Sequence, residues 1–143
     1  MTSLAPGLAR LIFGAARLTG AASAFGAAAV GFSGGAAFAG GLVLDDPARY
    51  LGAAILYGTL PFDAGVPTTP GHLEDRRVFL SHGAADTVIP LELQQRTWQY
   101  LTGASGADVW ARRDQAGHQI TQSTLVALGH WLQGQQPTQE TPS

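Results

Sequence analysis

Residues 27–35 read AAAVGFSGG, an apolar run that stops at a glycine, carries one serine, and resumes as two further glycines. A continuous apolar run bounded by glycine is the pattern of a strand buried on both faces of a parallel sheet. We therefore expect a strand over residues 27–32, a tight turn at Ser33, and a helix over about 35–44. The turn matches G-x-S-x-G at Gly31, Ser33 and Gly35. In that pattern a strained strand-to-helix turn lifts the serine hydroxyl above the sheet, and glycine-sized neighbours leave room for it.

The pattern repeats downstream. Residues 52–57 (GAAILY), 77–82 (RVFLSH) and 108–112 (DVWAR) are further short β-prone runs. A helix opened by Pro90 at its first turn and closed by Gly103 separates the third run from the fourth. A last helix is expected over 119–132, with Ile120, Leu125, Leu128 and Leu132 as its buried stripe. Strands alternating with helices imply an α/β domain built on a parallel sheet. The proline-rich stretch 59–73 reads as an irregular loop over the sheet's edge, and the tail over 134–143 as a polar, disordered extension of a domain spanning 1–133.

Before the first strand, Leu8, Leu11, Ile12, Ala15 and Leu18 form one stripe of an amphipathic helix at about 5–19. Arg17 interrupts any signal-peptide core there. The uncharged stretch from Ala21 to Leu44 is mostly Ala and Gly, so we read it as strand plus helix rather than as a stable membrane span.

Composition narrows the chemistry. The 143 residues carry a formal charge of −2 and no cysteine, and all 8 basic residues are arginines. Without cysteine there is no disulfide, thiolate nucleophile or cysteine-ligated metal, and without lysine no P-loop or Schiff-base lysine. No two glycines lie two positions apart, so a G-x-G-x-x-G dinucleotide loop is absent. The histidines His72, His82, His118 and His130 never fall three or four apart, which leaves no helical metal pair. The mild negative charge argues against a nucleic-acid partner. The composition fits a cytoplasmic domain working with hydroxyl, carboxylate and imidazole groups, with none of these metal or cofactor signatures.

Three short motifs carry such groups. Ser33 sits in the turn above. Asp86 follows the third strand in HGAADTVIP (residues 82–90), and His118 follows the fourth in AGHQI (residues 116–120). Taken singly, each has an ordinary reading as a turn, capping or surface residue. Together they run serine, acid, histidine, each after a separate strand, where open α/β sheets build their sites.

Here GFSGG, LYGTLPF, FLSHGAADTVIP and AGHQI resemble, in order, the phospholipase/carboxylesterase family of α/β-hydrolases, which includes acyl-protein thioesterases. The resemblance covers about residues 8–133 and implies cofactor-free hydrolysis of carboxylic ester or thioester bonds. By that match Ser33 is the nucleophile, Asp86 the acid and His118 the base. The Gly34 N–H would bind the oxyanion, and Leu60 and Phe62 would line the acyl groove. The implied fold is a partial α/β-hydrolase: a parallel sheet of about four strands with flanking helices, its N-terminal strands and the His-Gly-type oxyanion loop missing. That leaves the first strand as an apolar edge, expected to pair with a second copy in a homodimer, to pair with a missing N-terminal half, or to aggregate. The alternative to a serine hydrolase is a non-catalytic remnant or fragment that associates through this edge.

Overall fold

The computed structural model describes residues 27–137; the helix expected over 5–19 and the last residues of the tail lie outside them. Four strands, β1 (Ala28–Phe32), β2 (Gly52–Leu56), β3 (Arg77–Gly83) and β4 (Asp108–Asp114), form one parallel sheet in the order β1-β2-β3-β4. Three helices accompany them: α1 (Gly34–Asp45), α2 (Leu91–Gln99), which runs on into a π turn at Tyr100–Ala104, and α3 (Gln122–Leu132).

Side-chain alternation divides the sheet between two cores. Ala29, Ala53, Ile55, Val78 and Leu80 face α1 and α2, packing with Ala36, Ala39, Val43, Leu44, Tyr100 and Leu101. Ala28, Val30, Ala54, Leu56 and Phe79 face α3, against Ala127, Leu128 and Trp131. Both faces of β2 are covered, which is why GAAIL carries no polar residue. Phe79 is fully buried between the rings of Trp110 and Trp131, at centroid distances of 5.7 and 6.0 Å.

Three expectations change. The 59–73 stretch crosses a face of the sheet, not its edge: β2 is flanked by β1 and β3, and the connection passes over the α1–α2 side with Leu60 and Leu73 buried in that core. Second, α3 begins at Gln122, capped by the Thr121 hydroxyl, which accepts from the Thr124 N–H at 3.0 Å. Its buried stripe is Thr124, Ala127, Leu128 and Trp131, while Leu125 is 49% exposed. The cap and the packing of Trp131 on Phe79 fix the helix phase, so the expected stripe was right at Leu128 and wrong at Leu125. Third, Pro90 caps α2 from outside the helix, and the chain reverses at Gly106 (φ 81°), beyond Gly103. At the end of α3, Gly134 adopts φ 81° and the Arg77 guanidinium donates to the Trp131 and Gln135 carbonyls. No helix among the described residues is long and apolar enough to cross a membrane.

These packing roles separate by mutation. Phe79→Ala should lower unfolding free energy by about 3–5 kcal/mol, whereas Leu125→Ala should stay within about 0.5 kcal/mol of the parent. Urea denaturation followed by circular dichroism checks both.

Candidate active site

The site lies at the carboxyl ends of the strands. After Phe32 the ladder continues for one residue, the Ser33 N–H donating to the Leu56 carbonyl at 2.9 Å, and the chain then turns into α1. Ser33 makes that turn at φ 57° and ψ −119°, a conformation L-residues rarely adopt and one that costs about 1–3 kcal/mol. Gly31 permits it: a Cβ there would lie 2.0 Å from the Gly35 carbonyl oxygen. As the first residue of α1, Gly34 has an N–H with no carbonyl to reach inside the helix, and it is exposed beside Ser33.

Asp86 and His118 are positioned by the ends of β3 and β4. Gly83 pairs with Asp114 in register. Past that pair the two loops are bolted together, the Ala84 N–H donating to the Asp114 carbonyl at 2.7 Å and the Ala85 N–H to the Ala116 carbonyl at 3.0 Å. A Cβ on Gly83 would meet the Gly117 carbonyl oxygen at 2.4 Å, so only glycine lets the His118 loop settle this close. The Asp86 carboxylate also tethers its own loop, accepting the Val88 and Ile89 N–H groups through Oδ1 at 2.8 and 3.1 Å.

The remaining oxygen, Oδ2, lies 2.8 Å from His118 Nδ1, and His118 Nε2 lies 3.0 Å from Ser33 Oγ. A carboxylate accepts only, so Nδ1 carries the proton, and Nε2 is left to accept from the serine hydroxyl. The three side chains, 85 residues apart at their extremes, form one hydrogen-bonded row. Phe32 walls the imidazole, ring centroids 5.1 Å apart. Burial alone pushes the Asp86 carboxyl pKa up. Hydrogen bonds from His118 and the Ile89 and Val88 N–H groups, with the His118 charge, outweigh it and hold the pKa below its ordinary value.

Leu60 and Phe62 are placed differently from a groove lining. Leu60 is buried in the core, its N–H donating to Thr97 Oγ1 at 3.1 Å, and Phe62 is half-buried beneath the Arg96 guanidinium, 4.0 Å from its ring centroid. Leu60 faces inward because the loop crosses the sheet face. An open apolar groove of about 460 Å³ lies beside them, running from Gly34 along Ala37, Phe38 and Leu42 and flanked by Pro61 and Val66.

Of the other histidines, His82 is buried and its Nε2–H donates to the Gly58 carbonyl at 3.3 Å; His72 donates to the Leu44 carbonyl at 2.6 Å. Burial lowers the His82 pKa and keeps it neutral. Among the described residues no cluster of three or more His, Cys, Asp or Glu could hold a metal ion.

Sequence reasoning missed Asp114. It is buried, and its carboxylate accepts from the hydroxyls of Tyr57, Thr121 and Thr124 and from the Arg112 guanidinium. The signal available was its place at the end of a strand, seven residues before a Thr-x-x-Thr start to a helix.

Comparisons with known proteins bear on the family and the fold. The model of the phospholipase/carboxylesterase family matches residues 24–135. Among solved structures, a carboxylesterase from Mesorhizobium loti is 30% identical with a TM-score of 0.57, over 73% of this chain and 48% of that one. A Bacillus cereus carboxylesterase (22% identical, TM-score 0.61, 73% and 48%) and Zea mays acyl-protein thioesterase 2 (21%, 0.60, 73% and 54%) share the fold. The chain spans about half the length of these structures. No curated protein sequence matches it.

Stability should fall in two stages on acidification. A neutral buried His82 resists protonation that the unfolded chain accepts, so stability declines as pH drops below the ordinary histidine value of 6.5. Asp86 and Asp114 have depressed folded-state pKa values, so their contribution is present above the ordinary value of 3.8 and is lost as pH falls through the lower folded values. Urea midpoints measured against pH should show both declines, and Asp86→Asn should flatten the second.

Proposed function

The chain belongs to the phospholipase/carboxylesterase family, and from that premise we propose that it is a serine hydrolase cleaving carboxylic ester or thioester bonds through an acyl-enzyme. The observation that carries the reading is the row Ser33 Oγ–His118 Nε2, His118 Nδ1–Asp86 Oδ2 at 3.0 and 2.8 Å, above a strained turn.

Each group has one task. Ser33 Oγ attacks the acyl carbon while His118 Nε2 takes the hydroxyl proton. Asp86 keeps the proton on Nδ1 and stabilises the imidazolium as it forms. The carbonyl oxygen, now bearing charge, is received by the Gly34 N–H at the positive end of the α1 dipole. The imidazolium then protonates the leaving alcohol or thiol, and water, deprotonated by the same imidazole, releases the acid and restores Ser33. No cofactor enters these steps. The acyl substituent lies in the apolar groove that opens at Gly34, where Ala37, Leu42 and Pro61 replace the contacts first assigned to Leu60 and Phe62.

A second reading, self-association through the sheet edge, is supported by β1 having a strand partner only in β2 among the described residues. The mass in solution separates a homodimer from a monomer without reference to turnover. A cytoplasmic location belongs to the same proposal.

Hydrolysis of p-nitrophenyl acetate tests the main reading. Ser33→Ala and His118→Ala should each lower kcat by about 10⁴-fold or more, and the double variant should be no slower than the worse single one, since the groups act as a unit. Variants as fast as the parent would refute it.

A further inference from the structure

Asp114 takes no part in the steps above, yet more hydrogen bonds converge on its side chain than on any other buried polar side chain among the described residues. Its Oδ2 accepts from Tyr57, Thr124 and Thr121, and its Oδ1 from Arg112 at 3.1 Å. These donors come from three places: Tyr57 just past β2, Arg112 within β4, and Thr121 and Thr124 at the start of α3. Burial pushes the carboxyl pKa up, but the hydrogen bonds from Thr124, Tyr57 and Arg112, with the Arg112 charge, prevail and keep it ionised. An ionised acceptor facing four donors is fully satisfied, so the arrangement has one low-energy form.

What this form controls is the placement of His118. The loop bearing His118 leaves β4 at Asp114 and enters α3 at Thr121, so one carboxylate clamps both ends of the segment that carries the imidazole. Tyr57 supplies the third side. It is a non-glycine residue at φ 50°, a conformation retained only where its surroundings enforce it. Its N–H donates to the Ser81 carbonyl at 2.9 Å, and its hydroxyl is anchored on Asp114. Its ring packs on Phe32 at 6.0 Å, and Phe32 packs on the His118 imidazole at 5.1 Å. The same carboxylate thus fixes the imidazole through its loop and through the aromatic wall behind it.

We propose that Asp114 is a positioning residue that, with Tyr57, Thr121 and Thr124, sets the His118 imidazole in line between Asp86 and Ser33. The inference rests on the hydrolase reading for its kinetic consequence, but its geometric content stands apart from turnover.

The experiment compares the parent with Asp114→Asn, Tyr57→Phe and the double variant, using the full chain. Two readouts are taken: kcat and KM for p-nitrophenyl acetate, and the downfield proton NMR signal of His118 Nδ1–H, identified by its loss in His118→Gln. Asn keeps the shape of the side chain but turns an amide N–H₂ toward hydroxyl donors. Asp114→Asn should lower kcat roughly 10- to 100-fold with little change in KM, the loss that a displaced reacting group produces. It should also shift or broaden the Nδ1–H signal. Tyr57→Phe should move both readouts in the same direction by less. The double variant should be no worse than Asp114→Asn, because Tyr57 acts through the carboxylate.

A folded Asp114→Asn protein with parental kcat and an unmoved signal, showing only a lower melting temperature, would overturn the proposal and leave Asp114 a stabilising group. Should Asp114→Asn fail to fold, Tyr57→Phe decides by the same two readouts. If the parent hydrolyses no ester, the hydrolase reading falls. The NMR signal alone then decides: moved in the variants, the positioning role stands; unmoved, it falls.

Discussion

The pairing of β3 with β4 is the constraint on which the rest of the site depends. Their register runs from Arg77 opposite Asp108 to Gly83 opposite Asp114, and two further backbone hydrogen bonds carry the contact beyond the sheet, at Ala84 and Ala85. Asp86 lies one residue past those bonds and His118 two residues past the second acceptor. A change of one residue in that register would turn every β4 side chain to the opposite face and carry His118 away from Asp86. The hydrogen bond between imidazole and carboxylate is thus a consequence of the ladder beneath it.

Ser33 reaches the pair from the opposite side of the sheet by a different device. Its conformation is strained, and the strain is offset by the ladder bond to Leu56, by the close approach of Gly31 to Gly35, and by the burial of α1 against the sheet through Ala36, Ala39 and Val43. Strain held in place by packing is a recurring property of reactive groups, because a pre-set side chain needs no reorganisation when substrate arrives. A second strained residue, Tyr57, stands one strand over, and its ring touches the same wall.

Much of this was legible in the sequence. Short β-prone runs marked all four strands to within one or two residues, β1 and β2 most plainly, because strands buried on both faces leave no choice of residue type. The placement of Ser33, Asp86 and His118 after three separate strands, β1, β3 and β4, followed from the same reading. What stayed hidden depends on contacts between distant residues. β4 runs on to Asp114, but in ARRD the end of a strand looks like surface charge, and its partner Tyr57 is 57 residues away. Leu125 and Leu128 are equivalent by hydropathy; only the Thr121 cap and the Trp131–Phe79 contact select between them. Leu60 looked like a loop residue open to ligand, and the crossing of its loop over the sheet face buried it.

The central claim is that Ser33 is made nucleophilic by its neighbours, and covalent labelling reads this most directly. A fluorophosphonate probe added to the folded protein, followed by digestion and mass spectrometry, should modify one peptide at Ser33, and His118→Ala should abolish that modification. A folded protein that stays unlabelled, or that is labelled at another serine with Ser33 untouched, would contradict the account.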